Sequence, residues 1–324
     1  MLPDFKNKIL LAPMEDVTES PFRIICKRLG ADIVYTEFIS SEGLIRDARK
    51  ARAKLFFHEE ERPIAIQIFG GIESSMEEAA RICESANPDF IDINCGCWVK
   101  DVALRGAGAG LLKDIAKMQS IAESVLKTVS LPVTLKTRLG WDENSIVIVD
   151  VAKMLESIGI KALTVHCRLR SQGNKGDVDW TWVKRIKDAG VKIPVILNGG
   201  IKTPEDVIYV FKTFEPDAVM IGQGAIQNPW IFRQSKEMLE KGFYSEPELP
   251  EIINTCIEHL KLNCDIKGEK KGVLEFRKHY TGYLRNMPNI SRLRQELMTY
   301  TELNPILERL TKLTEAPLPS GAPH

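Results

Sequence analysis

The chain has 324 residues, with 44 Lys and Arg against 44 Asp and Glu, and a Gly and Pro content typical of globular proteins. That length suits one large domain with a smaller one, or two medium ones, and the composition excludes a disordered or fibrous chain. Overall neutrality argues against simple coating of nucleic acid but leaves room for a local basic face. Seven scattered cysteines (Cys26, Cys83, Cys95, Cys97, Cys167, Cys256 and Cys264) accompany no export signal and no apolar run of about 20 residues. They predict reduced thiols in a cytoplasmic protein that does not enter a membrane. Cys95-Gly-Cys97 is too tight for zinc spacing and lacks a partner Cys/His pair, so no metal site is expected.

Taken in chain order, eight short apolar, β-branched runs occur at residues 9–12, 32–36, 63–68, 90–93, 132–135, 162–165, 194–197 and 218–221. Each is bounded by turn or polar residues, as befits strands buried on both faces. Amphipathic stretches at 75–84, 115–129, 146–158 and 204–213 alternate with them, and Thr203-Pro204 forms a helix-start signal. Eight strand–helix pairs predict a (β/α)8 TIM barrel, although an open doubly wound sheet alternates in the same way. The residues at the carboxyl ends of the strands favour the barrel: Pro13-Met14, Glu37, Gln67, Asn94, Lys136, His166, Asn198 and Gly222. A barrel assembles its active site at those strand ends.

The fourth strand runs into a long loop, residues 94–110, dense in Gly and Ala and expected to be mobile and close-packing. Cys95 or Cys97 there could act as acid, base or nucleophile, and chemistry alone does not separate them. Lys136 and Arg138 end the fifth strand. A lysine in that place either faces the electron density of a cofactor ring or pairs with a nearby carboxylate. His166 is followed by Arg168, Arg170 and Gln172, a concentration of donors suited to an anion or nucleobase. Asn198-Gly-Gly and Gly222-Gln-Gly follow the last two strands, where a barrel commonly binds phosphate on backbone N–H groups. After residue 241 a Pro-containing linker precedes helical patterns near 252–264, 272–285, 290–300 and 304–313, predicting a small bundle. From Lys261 to Arg294 nine Lys and Arg face three acids, a net of +6. Residues 316–324 are expected to be a disordered tail.

Several of these motifs together resemble the tRNA-dihydrouridine synthases, in their bacterial B-type branch. They are Leu11-Ala-Pro-Met-Glu-Asp-Val-Thr-Glu-Ser-Pro-Phe-Arg23, Gln67-Ile-Phe-Gly, Asp92-Ile-Asn-Cys-Gly-Cys97, Gly106-Ala-Gly-Ala-Gly-Leu-Leu112 and Leu135-Lys-Thr-Arg-Leu-Gly-Trp141. The series continues with His166-Cys-Arg-Leu-Arg-Ser-Gln172, Asn198-Gly, the 222–232 run and Arg277-Lys-His279, in family order over nearly the whole chain.

The resemblance implies FMN at the mouth of a barrel spanning 1–243, NADPH as electron donor, and a uridine of tRNA as acceptor. It implies that Pro13, Met14, Gln67, Lys136 and His166 attend the flavin, and that Asn198, Gly199, Gly200, Gly222, Gln223 and Gly224 hold its phosphate. Asn94, Arg138, Arg168 and Lys278 would bind substrate, and Cys97 would be the general acid. Residues 244–315 would grip tRNA through their basic face. A monomer is expected. Departures from the family pattern are Trp98 for proline, Asp101 for lysine, Leu169 for threonine, Asn174 for tyrosine, Gly200 for aspartate and Gln223 for arginine. Two other readings compete: a flavin oxidoreductase acting on a free pyrimidine, and a non-catalytic RNA-binding paralog.

Overall fold

The computed structural model describes residues 2–285 and 290–315, so the tail expected at 316–324 lies outside the described residues. Its strands are β1 (Lys8–Leu11), β2 (Val34–Tyr35), β3 (Ile39–Ser40), β4 (Ile64–Phe69), β5 (Phe90–Cys95), β6 (Val133–Arg138), β7 (Leu163–His166), β8 (Val195–Asn198) and β9 (Ala218–Ile221). All pair in parallel in the order β1-β9-β8-β7-β6-β5-β4-β2. A bridge between Leu10 and Ile33, with Leu11 N donating to Ile33 O at 3.0 Å, closes the ring. The eight expected staves are therefore all present and the open-sheet alternative falls. β3 was not foreseen. It is a two-residue extension beside the upper end of β4, too short to leave a pattern.

The intervening helices are α1 (Ser20–Arg28), α2 (Ser41–Ile45), α3 (Arg49–Ala53), α4 (Glu73–Ser85), α5 (Lys100–Leu104), α6 (Ile115–Thr128), α7 (Ile148–Ile158), α8 (Thr181–Asp188) and α9 (Pro204–Phe214). Their ends are set by local chemistry. Thr203 caps α9 by accepting from Asp206 N at 3.2 Å, completing a capping box with Pro204 in the first turn. Gly159 ends α7 in the left-handed conformation.

Alternation along the strands divides the barrel interior into two storeys. The lower one is apolar: Phe90 receives the edges of Phe5 and Tyr35, with Ala65, Ala162 and Ala218 leaving room for the rings. Two and four residues further along the same inward-facing rows come Gln67, Asp92, Asn94, Thr134, Lys136, Thr164 and His166. The strands thus deliver a polar storey beneath the mouth.

The chain divides into compact units after Gly222, not after residue 243 as expected. The second unit contains α10 (Gln223–Gln227), α11 (Ile231–Lys241), α12 (Leu249–Lys267), α13 (Glu269–Phe276), α14 (Tyr280–Tyr283), α15 (Ile290–Leu297) and α16 (Leu303–Glu315). The early helices belong there because their side chains bind later ones. Trp230 packs edge-on against Tyr283, and Trp230 and Arg233 both donate to Glu251 at 2.7 Å. No helix among the described residues is long and apolar enough to cross a membrane.

Candidate active site at the barrel mouth

A directional chain of hydrogen bonds runs up the polar storey. The carboxylate of Asp92, fully buried, accepts from Thr134 Oγ1 at 2.5 Å and from Gln67 Nε2 at 2.6 Å. That fixes which way the Gln67 amide faces: its Oε1 accepts from Asn94 Nδ2 at 2.8 Å. Asn94 must then turn its own oxygen upward, where Oδ1 accepts from the N–H groups of Gly96 and Cys97, each at 2.9 Å. One buried acceptor thereby orients two amides and the turn that carries Cys97. Burial raises the Asp92 carboxyl to about 6, opposed by the bonds from Thr134 and Gln67 and by Lys136.

The turn is pinned from two further sides. Cys97 O accepts from Ala109 N at 3.0 Å, and a side chain on Gly108 would meet Cys97 Cβ at 3.0 Å. Residues 108–112, part of the loop expected to be mobile and close-packing, are buried in a short 3-10 helix: the close packing is present, in a regular turn that the sequence did not suggest. Arg138, expected to bind substrate, is only 2% exposed and donates to Gly96 O at 2.8 Å, Leu169 O at 3.1 Å and Gly173 O at 2.6 Å. With its donors engaged by carbonyls, Arg138 is a positioning residue that ties the Cys97 turn to the loop after β7.

The two cysteines separate clearly. Cys95 is the last residue of β5, fully buried on the face opposite Asp92 and Asn94, and burial and the Asp92 charge push its thiol far up. Cys97 lies beyond the strand. Burial raises its thiol, opposed by the Val99 N–H and Arg138, so it stays protonated at neutral pH. A protonated thiol is the form an acid requires.

Lys136 Nζ donates to Asn198 Oδ1 at 2.7 Å, and Asn198 Nδ2 donates to Met220 O at 2.8 Å. Among the described residues Lys136 makes no ion pair; burial and then Arg138 lower its ammonium to about 7. The carboxylate partner entertained from sequence is therefore missing. His166, across the β6–β7 register from Arg138, is driven well below its ordinary value by burial and by Arg138, Lys136 and Arg168. It is neutral at pH 7. Its Nε2 lies 3.3 Å from Arg168 Nη1, which places the ring proton on Nδ1.

Gly199 and Gly200 follow β8 with φ of 101° and 81°. A Cβ on Gly199 would sit 2.6 Å from His166 Cδ2, so this glycine is required both by conformation and by close approach. Gly222 lies at the end of β9, where a Cβ would meet Met14 Sδ at 3.4 Å. Thr18 Oγ1 accepts from Met14 N and donates to Met14 O, and buried Arg23 donates to Thr18 O while pairing with Glu61 at 2.5 Å. This explains why the motif from Pro13 extends to Arg23: its far end holds its near end. Gln223 and Gly224 are the first residues of the second unit, and half-buried Lys278 lies in a 3-10 turn there.

Asp92, Thr134 and Arg23 hold neighbouring segments of the mouth in place through hydrogen bonds, and the sequence reading left them without a role. A charged residue inside a strand buried on both faces was the available signal for Asp92. Near the mouth Glu15, Asp16 and Glu37 also cluster, with Lys54 paired to Glu15 at 2.5 Å and to Glu37 at 3.6 Å.

The architecture is a closed (β/α)8 barrel with polar side chains gathered at its mouth, the arrangement in which barrel enzymes build their active sites. The same fold occurs in morphinone reductase, at TM-score 0.51 and 14% identity over 75% of this chain and 88% of that one. It also occurs in a 2-naphthoyl-CoA reductase complex, at TM-score 0.52 and 12% identity over 72% and 50%. Identities this low speak to fold alone. Sequence comparison is more specific. The description "Dihydrouridine synthase (Dus)" matches residues 10–316. tRNA-dihydrouridine synthase B of Pseudomonas aeruginosa is 39% identical over 90% of this chain and 87% of its own length. The Pasteurella multocida protein of the same name is 37% identical over 88% and 86%. The chain belongs to the dihydrouridine synthase family.

Proposed function

We propose that the chain is an FMN-dependent tRNA-dihydrouridine synthase that reduces a uridine of tRNA to 5,6-dihydrouridine with NADPH, acting as a cytoplasmic monomer. The observation that carries this reading is the turn bearing Cys97, whose backbone N–H is held by a hydrogen-bond chain rooted in Asp92. The residues fit a phosphorylated flavin. Buried Lys136 has a neutral partner and no carboxylate, which suits the electron-rich pyrimidine edge of such a ring. Gly199 and Gly200 carry the chain past the end of β8 with positive φ, and the backbone N–H groups of such a glycine turn suit a phosphate; Gly222, Gln223 and Gly224 follow the end of β9.

FMN, held by these residues, would supply the hydride that C6 of the uracil takes up. Cys97 donates the proton to C5 and is reprotonated from solvent, so the C5–C6 double bond takes up one hydride and one proton. Pro13, Met14, Gln67 and Lys136 are the residues that would hold the flavin ring, and neutral His166 offers a hydrogen-bond donor through Nδ1. Asn94 and Arg168 orient the base, which must leave its stack to arrive. Lys278 contacts RNA phosphate.

The test is to map dihydrouridine in tRNA from cells with and without the gene, then restore the gene as wild type or Cys97→Ala. One position should lose the modification and regain it only with the wild type. In vitro, Cys97→Ala should keep the bound flavin's absorbance and lower turnover roughly 10²- to 10⁴-fold. A tRNA pool unchanged by deletion would overturn the proposal.

A further inference from the structure

Trp98 directly follows Cys97 and stands where the resembled family has proline. It is 42% exposed, whereas the other four tryptophans are buried or half-buried. Trp141 lies under Lys113 and Arg170, at 4.0 and 4.3 Å from its centroid. Trp180 donates to Gly199 O and packs against Tyr209 and Phe214. Val99 and Leu104, in the same stretch as Trp98, are also exposed, at 44% and 68%, and grouped exposed apolar side chains mark an interaction surface where a single one would not.

The ring is braced. A Cβ on Gly173 would lie 3.3 Å from its Cε3 and 3.5 Å from Cδ2 and Cζ3, so the indole rests on this glycine. Gly173, at φ of 58°, is in turn held by Arg138 through its carbonyl. The two segments concerned, residues 98–105 and 168–177, are net basic: Lys100, Arg105 and Lys175 are exposed and Arg168 and Arg170 half-buried, against exposed Asp101 and Asp177. Three of the departures from the family pattern converge here, because Asn174 Oδ1 also accepts from Arg138 and Leu169 O is another Arg138 partner.

We propose that Trp98 is a specificity-determining stacking platform for an RNA nucleobase flanking the target uridine. The inference rests on the function proposed above. A strand that delivers a uracil to Cys97 carries its neighbouring nucleotide close to the residue next in the chain, and a braced, exposed aromatic ring on a net basic segment binds single-stranded bases by stacking.

Steady-state kinetics on tRNA with wild type, Trp98→Phe and Trp98→Ala provide the test. Trp98→Ala should raise KM for tRNA about ten-fold or more while kcat moves little, and Trp98→Phe should stay within about two-fold of wild type. tRNA made abasic at one flanking nucleotide should impose the same penalty on wild type and none further on Trp98→Ala. An unchanged KM in Trp98→Ala, or a fall in kcat alone shared by both variants, would show that the ring only braces the loop. Should Trp98→Ala lose its flavin absorbance, the abasic tRNA on wild type decides. Wild type that makes no dihydrouridine sinks the functional reading as well, so the two failures are distinguishable.

Discussion

The two units bury titratable groups in opposite ways. In the barrel, Asp92 sits in a one-way hydrogen-bond chain that ends at the Cys97 turn, and its proton is held more tightly than in water. In the helical unit, His259 and His279 lie 4.5 Å apart among Phe276, Tyr280 and Tyr283, with His259 Nδ1 3.0 Å from Tyr283 OH. Burial and neighbouring lysines push His279 down to about 3 and His259 well below its ordinary value. The barrel spends a buried charge on orienting a reacting group, while the bundle keeps its imidazoles neutral as packing. A buried histidine in a motif is therefore not evidence of catalysis by itself. What distinguishes the sites is whether the polar groups form a chain that reaches the mouth.

The largest expected effect tests this contrast through acid. His279 binds its proton only near pH 3 when folded but near 6.5 when unfolded, so its stabilising contribution is full above 6.5 and is lost as pH falls through that window. Asp92 is the reverse. Its folded value of about 6 exceeds the unfolded 3.8, so stability is full below 3.8 and falls as pH rises through 6. Calorimetric unfolding of wild type against His279→Phe should therefore show wild type losing ground on acidification, by roughly 5 kcal/mol over the full window. Against Asp92→Asn, wild type should gain ground between pH 6 and 3.8, by roughly 3 kcal/mol. Difference curves that run parallel would erase the distinction between the two units.

Asp92→Asn also breaks the chain chemically. Asparagine offers one acceptor where Thr134 and Gln67 need two, so the Gln67 amide reverses and Asn94 follows, withdrawing its oxygen from Gly96 N and Cys97 N. Turnover should fall roughly ten- to a hundred-fold, since each buried polar group left unpaired costs about 1–3 kcal/mol. Thr134→Val removes a donor without reversing any amide and should cost less. Equal losses in the two variants would mean that polarity along the chain is irrelevant.

The barrel was legible in the sequence because its strands carry a repeated signal: eight apolar runs, all but the first ending at a polar or glycine residue. The glycines at 199 and 200 were legible for the same reason, and the structure gives them left-handed conformations. What sequence hid was direction. Nothing in Leu135-Lys-Thr-Arg138 says that Lys136 points to a neutral amide while Arg138, two residues on, spends its donors on carbonyls of another loop. Cys95 and Cys97 likewise became distinct only when the end of β5 was fixed, since one residue of strand decides which face a side chain takes. The unit boundary was displaced because Trp230 and Glu251 lie on either side of the Pro-containing linker, a contact that composition cannot show.

The smallest effect concerns the basic segment of the helical unit, where net charge overstates what RNA can use. Lys267 is turned inward, with a side chain only 7% exposed and its ammonium 2.6 Å from Glu275, and Lys271 lies 3.7 Å from the same carboxylate. Lys278 is half-exposed in a short turn beside buried His279. Lys278→Ala should weaken tRNA binding about equally for every tRNA and lower the slope of log K against log salt by about one. Lys267→Ala should leave that slope alone and reduce thermal stability instead, because its charge is already matched by Glu275. If both lysines changed the slope equally, the ion pair would not be holding Lys267 back, and the whole +6 of the segment would face the nucleic acid.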